Sequence, residues 1–126
     1  DGVIRGAIGG HPDTAEGASL SVVVAPLTRG RIPTIVKHVN TVVTPGDVVD
    51  VVVTDQGIAV NPRRPDVKEK LEKAGLHVFT IEQLQKRAEK LVGVPDPIRY
   101  KDRIVGVVMY RDNTIIDVIR QIDEDA

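Results

Sequence analysis

The residues best placed for chemistry fall together in Gly6-Ala7-Ile8-Gly9-Gly10-His11-Pro12-Asp13-Thr14-Ala15-Glu16-Gly17-Ala18. An apolar run ends in two glycines, and Asp13 to Ala18 reads as a short helical turn. Glycines let backbone N–H groups come close to a ligand. Successive N–H groups at such a turn suit a negatively charged oxygen, as in an oxyanion site. Gly9 and Gly10 are therefore the candidate catalytic loop, with His11 and Asp13 beside it. The competing reading is a plain tight turn capped by Asp13 or Thr14.

Two basic pairs could hold carboxylates or phosphates. Arg63-Arg64 follows Asn61-Pro62 at the entrance of a helix, and Arg29 and Arg31 flank Gly30 in a loop. The competing reading of each pair is a solvated turn, which the sequence alone favours. His11, His38 and His77 stand far apart in no metal-ligand spacing, so no metal is expected. His38 and His77 fall in apparent strand regions and read as structural. The only serines, Ser19 and Ser21, lie outside any Gly-x-Ser-x-Gly elbow, which argues against serine hydrolysis. There is no P-loop lysine, and Gly6 to Gly10 does not spell the dinucleotide-binding fingerprint.

The elements that must position these residues are written mostly in valine and isoleucine. The chain holds 22 Val and 12 Ile against 2 Tyr and 1 Phe. β-branched residues suit a pleated surface. Unbroken runs such as Val22-Val23-Val24 and Val51-Val52-Val53 suggest a sheet covered on both faces and largely parallel. Strands are expected at Gly2–Ile8, Leu20–Pro26, Ile32–Val39, Val51–Thr54 and Ile58–Val60, with a turn at Asp55-Gln56-Gly57. Thr44-Pro45-Gly46-Asp47 is turn chemistry that could begin one helical turn.

Pro65–Ala74 reads as a helix stopped by Gly75, with Val67 and Leu71 on one face. After a brief strand at Leu76–Phe79, a second helix runs from Ile81 to about Val92. Thr80 and Gln83 form its capping box, and Phe79 can staple onto Leu84. Arg103–Tyr110 and Thr114–Ile122 form a β-hairpin around Asp112-Asn113. The whole chain, 1–126, is expected to be a single open α/β domain ending in that hairpin.

Composition removes several classes of function. Charge is nearly balanced, with 17 Lys+Arg against 18 Asp+Glu, so a basic nucleic-acid grip is not expected. Three aromatic residues give little for bases to stack on. Without cysteine there is no disulfide framework and no thiolate zinc site. No apolar run nears the roughly 20 residues that cross a bilayer, so no membrane association is expected and the cytoplasm is the default location.

Longer motifs carry a resemblance. They are Gly9-Gly10-His11-Pro12-Asp13-Thr14-Ala15, Val24 to Thr34, Val42-Val43-Thr44-Pro45-Gly46, Val53 to Arg64, and Ile116-Asp117-Val118-Ile119-Arg120-Gln121. Through them the chain resembles the C-terminal part of the citrate lyase alpha-subunit family, within the wider CoA-transferase family. The resemblance implies an open α/β sheet flanked by helices, with the Gly9, Gly10 and Asp13 loop beside an acyl thioester. It implies exchange of acetate for citrate on the thioester of an acyl carrier protein, giving citryl-carrier and acetate. That carrier bears a CoA-like prosthetic group, and a separate lyase subunit cleaves the citryl thioester to oxaloacetate. His11, Asp13, Arg29, Arg31, Arg63 and Arg64 are then candidates for binding citrate carboxylates or the carrier's phosphates, or those of acetyl-CoA.

There is one departure. Many CoA-transferases use a glutamate in a Glu-x-Gly setting as covalent nucleophile, and nothing here matches it. Glu16-Gly17 comes just after the glycine loop, in the wrong place. The expectation is a C-terminal fragment of a longer transferase subunit, inactive alone and prone to homo-oligomerise through its exposed sheet edge. The competing function is a CoA-ester-binding or subunit-assembly domain without chemistry.

Overall fold

The structure, a computed structural model, describes residues 9–125. The strand expected at Gly2–Ile8 lies outside them. The elements run α1 (His11–Gly17), β1 (Val22–Val24), β2 (Thr28–Arg29), β3 (Ile32–Pro33), a 3-10 turn (Gly46–Val48), β4 (Val51–Thr54), β5 (Gly57–Val60), α2 (Pro65–Lys73), β6 (Val78–Phe79), α3 (Ile81–Val92), β7 (Tyr100–Met109) and β8 (Ile115–Ile122). This is the α/β architecture read from the sequence, with a largely parallel sheet, flanking helices and a C-terminal hairpin.

The main sheet has the order β1-β4-β5-β6. β1 runs parallel to β4, with Val22 opposite Val51, and β5 runs parallel to β6. Between them β4 and β5 form a tight antiparallel hairpin, with Thr54 opposite Gly57. The Thr54 hydroxyl closes that turn by donating to the Gly57 carbonyl at 2.9 Å and accepting the Gln56 N–H at 3.1 Å.

Helix α3 packs across this sheet. Its Leu84 and Ala88 are fully buried and meet Leu27 and Ala59, with Ile35 and Phe79 at the margin. The Thr80 and Gln83 capping box is formed in both directions, and Phe79 packs against the core as a staple would. Helix α2 starts on Pro65 and ends before Gly75, which takes φ +84°. In the tail, Asn113 takes φ +68° at the turn between β7 and β8.

The strand expected over Ile32–Val39 shrinks to Ile32–Pro33, paired only with β2. Pro33 has no N–H to give a ladder, and residues 34–45 run on as bends and loop. His38 and His77 are correspondingly not strand residues. Both are exposed, and His77 meets Phe79 edge-on with ring centroids 4.4 Å apart. The cover expected on both faces of the sheet is also incomplete, since Val24 on β1 is 75% exposed.

Candidate functional site

Strand direction divides the candidate residues between two ends of the sheet. One end gathers the starts of β1 and β4 and the finish of β5. There lie α1 with Gly9, Gly10, His11 and Asp13, the 3-10 turn, and the loop bearing Arg63 and Arg64. The other end gathers the finish of β1 and the β4–β5 turn. Arg29 and Arg31 belong to that second end, on a hairpin tied to the turn by the Leu27 N–H donating to Asp55 Oδ1 at 2.7 Å. Both arginines are exposed. A four-residue strand spans roughly 13 Å, so the two sets do not form one site within this chain.

At the first end, Gly9 takes φ +70°, which calls for glycine. Gly10 does not share that need. Its φ of −92° is open to any residue, and among the described residues nothing lies within 4 Å of where its Cβ would stand. The fold therefore tolerates a side chain at 10, and its lack leaves open space beside the backbone. No side chain caps α1, and Pro12 brings no N–H to its first turn. Thr14 Oγ1 donates back to the Gly10 carbonyl at 3.0 Å. His11 Nδ1 stands 3.1 Å from Thr44 Oγ1, tying the glycine loop to the segment before the 3-10 turn.

The two adjacent arginines have different surroundings. Arg64 donates through Nε and Nη2 to both oxygens of Asp66, each at 3.1 Å. Its Nη1 meets Asp50 Oδ1 at 2.9 Å and the Ser19 carbonyl at 3.2 Å. Hydrogen bonding to Asp66, then to Asp50, raises its pKa still further. This guanidinium is engaged inside the chain, where it clamps Asp50, Asp66 and the Ser19 carbonyl together. Arg63 instead points outward, and its guanidinium meets Asp47 at 3.5 Å, the one ion pair it makes among the described residues, between two exposed side chains. Such a pair is weak and can open to a ligand carboxylate. Asn61 fixes the loop beneath both by donating to the carbonyls of Gly46 and Val49 at 3.0 and 2.9 Å.

The tip of the C-terminal hairpin reaches this end of the sheet as well, which the sequence reading missed. Arg111 Nε stands 3.7 Å from Glu16 Oε2, and Arg111 Nη1 donates to the Asp13 carbonyl at 3.4 Å. Beside it the Tyr110 hydroxyl is sealed from solvent, without a hydrogen-bond partner at bonding geometry among the described residues. Burial first, and the neighbouring Glu16 carboxylate second, raise its pKa, so it keeps its proton. Arg111 and Glu16 are separated by most of the chain, so no local pattern pairs them. Glu16 thus faces an arginine and a phenol.

Cavities lie elsewhere among the described residues. One of about 720 Å³ opens between the sheet and the starts of α2 and α3, with Val52, Val60, Val78 and Phe79 in its wall. The other, about 520 Å³, lies along β8. None of the eight nominated residues lines either. Among the described residues no cluster of His, Asp and Glu could hold a metal ion, and no helix is long and apolar enough to cross a membrane.

Comparison with known proteins places the chain. The family model for the citrate lyase alpha subunit matches residues 1–122. The citrate lyase alpha chain of Escherichia coli (strain K12) is 57% identical over 124 residues, 98% of this chain and 24% of that one. The citrate lyase alpha chain of Klebsiella pneumoniae is 60% identical over 122 residues, 97% of this chain and 24% of that one. A crystal structure described as the alpha subunit of citrate lyase from Streptococcus mutans, in complex with citrate, superposes with a TM-score of 0.93 at 55% identity. It covers 98% of this chain and 24% of that one. The chain therefore spans about a quarter of the length of the relatives it matches. With the family match running almost from end to end, and the same fold in a solved relative, this chain belongs to the citrate lyase alpha-subunit family.

Proposed function

We propose that this chain forms the glycine-loop side of an acyl-carrier transferase site in a citrate lyase alpha subunit. The reaction is exchange of acetate for citrate on the thioester of an acyl carrier subunit, which yields citryl-carrier and acetate. The carrier's CoA-like prosthetic group delivers the thioester, and a lyase subunit consumes the citryl product. The observation that carries this reading is Gly10. The fold itself has no need of glycine there, yet glycine leaves the backbone open to close approach at the N-terminus of α1.

Attack by a carboxylate on a thioester carbonyl drives negative charge onto its oxygen. Fixed N–H donors answer that charge, and loss of one such donor costs roughly 3–4 kcal/mol. Gly9, Gly10 and His11 are the residues proposed to offer them. Outward-facing Arg63 is suited to a citrate carboxylate or a carrier phosphate, since planar guanidinium groups pair with both. Asp13 borders the loop. Arg29 and Arg31, on the opposite end of the sheet, are left for contact with the carrier or another part of the subunit.

The test is a titration of the complete alpha subunit with acetyl-CoA, beside the same subunit carrying Gly10→Val. The substitution fits the described fold, so its effect reports on the space beside the loop. Binding abolished by Gly10→Val supports the reading. Equal binding by both proteins refutes it.

A further inference from the structure

The region around α1 is built in an unusual way. The helix has seven residues and no side-chain cap. A helix that short is not stable on its own and depends on outside contacts. Gly10 stands just before it and Gly17 is its last residue. Pro12 and Ala15 are buried against the rest of the chain, and among the described residues Thr44 reaches His11 while Arg111 reaches Glu16 and the Asp13 carbonyl.

The turn that carries Arg111 is itself held firmly. The Tyr110 N–H donates to the Thr114 carbonyl at 2.7 Å, and the Asn113 N–H donates to the Tyr110 carbonyl at 2.9 Å. Asp112 Oδ1 accepts from the Thr114 N–H at 3.0 Å and from its hydroxyl at 2.6 Å. Further along the hairpin, Asp117 Oδ2 accepts the Val42 N–H at 2.7 Å. A well-bonded turn thus presents one guanidinium and one sheltered phenol to a short helix that is otherwise anchored by buried Pro12 and Ala15. A long β-ribbon would not need such a tip for its own pairing, which runs from Tyr100 with Ile122 to Met109 with Ile115.

We infer that the hairpin tip positions the glycine loop for the proposed transfer, with Arg111 as the positioning residue acting through Glu16 and the Asp13 carbonyl. This rests on the transferase reading above. Arg111 fixes α1 by its last turn and its first, so the backbone at Gly9–Gly10 meets the thioester already oriented. Tyr110 fills the space behind Glu16. A preorganised donor set is what electrostatic catalysis requires, and small misplacements weaken it steeply.

The experiment uses the complete alpha subunit in its assembled complex, with carboxylate exchange followed at varied citrate. Arg111→Ala is expected to lower kcat about tenfold while KM for citrate stays within about twofold. Arg111→Lys, which keeps a cation within reach of Glu16, is expected to recover most of that loss. Amide exchange over Asp13–Gly17 should quicken in the alanine variant with the thermal midpoint of the subunit nearly unchanged. An unchanged kcat overturns the inference. So does a rise in KM alone, which would make Arg111 a direct substrate contact, or loss of the folded subunit in both variants, which would make it a structural strut. Gly10→Val in the same assay separates the two levels. Exchange intact in Gly10→Val defeats the transferase reading. Exchange lost in Gly10→Val but intact in Arg111→Ala defeats only the positioning role.

Discussion

Arg64 and Asp50 meet at 2.9 Å, and that contact fastens the start of the sheet. The same carboxylate accepts the Ser21 N–H through its other oxygen at 2.8 Å. Asp50 is nearly buried, with 9% exposure, so it needs both partners. Arg64→Ala should therefore act on folding. Its thermal midpoint is expected to fall by several degrees, while KM for citrate in the remaining folded subunit stays unchanged. Calorimetry beside a steady-state assay checks both. A raised KM at full stability would return Arg64 to the binding site.

Arg63 should behave in the opposite way. Its contact with Asp47 joins two exposed side chains and contributes little to stability. Arg63→Ala is expected to leave the midpoint of unfolding where it is and to raise KM for citrate or for the acyl carrier about tenfold. That is the weight of one charge-assisted hydrogen bond. Unchanged KM values for both substrates would remove Arg63 from the site.

Gly57 sits where the β4–β5 hairpin passes beneath the core. Its φ is +152°, and a Cβ there would come within 2.6 Å of Phe79 Cδ2 and 3.1 Å of Leu84 Cδ2. Phe79 has little room to withdraw, since His77 meets its ring edge-on and Arg87 lies 5.0 Å over its face. Gly57→Ala should destabilise the chain by about 2–3 kcal/mol, from overpacking and backbone strain together. Urea unfolding measures it, and a loss under about 0.5 kcal/mol, the scale of ordinary surface substitutions, would contradict the packing described.

Acid should weaken the fold through particular carboxylates. The Leu27 N–H holds the Asp55 pKa low, the Val42 N–H followed by the Val118 N–H does so for Asp117, and the Arg64 guanidinium does so for Asp66. A carboxylate whose folded pKa lies below its unfolded value adds stability that is complete above the unfolded value. That stability is lost as pH falls through the folded one. The urea midpoint should accordingly hold steady down to about pH 5 and decline below about pH 4. Asp117→Ala should flatten part of that decline, and an identical pH profile in the variant would refute the assignment.

Much of the fold was legible because its signals are local. Thr80 and Gln83 mark the start of α3 by their spacing alone, and the structure forms both bonds of their capping box. Asp112-Asn113 marks the last hairpin in the same way, since asparagine tolerates the positive φ found there. Ile32–Val39 misled because β-branched composition describes a residue's fitness for a sheet and says nothing of a partner strand. Pro33 was the contrary sign within that segment.

The site was legible as a set of residue types and hidden as an arrangement. Arg63 and Arg64 are neighbours, yet one is clamped and the other free to face solvent. The clamp depends on Asp50, which reaches Arg64 only once β4 and β5 have paired. Asp66, two residues beyond Arg64, was the one local clue. Arg29 and Arg31 separate from the glycine loop because β1 lies between them, and from Arg63 because β1 runs parallel to β4 while β5 returns antiparallel to it, a fact of topology. Arg111 meets Glu16 across nearly the whole chain, beyond the reach of any motif.

The most direct test of the account follows acetate released from acetyl-carrier on addition of citrate, with complete alpha subunits carrying either Gly10→Val or Arg31→Ala. The two positions lie at opposite ends of the sheet, and both are exposed. The account predicts that Gly10→Val, whose side chain would hold the thioester away from the loop's N–H donors, lowers the rate at least about a hundredfold, while Arg31→Ala stays within about twofold. A Gly10→Val subunit that exchanges carboxylates at the unaltered rate would contradict the placement of the transfer site at the glycine loop.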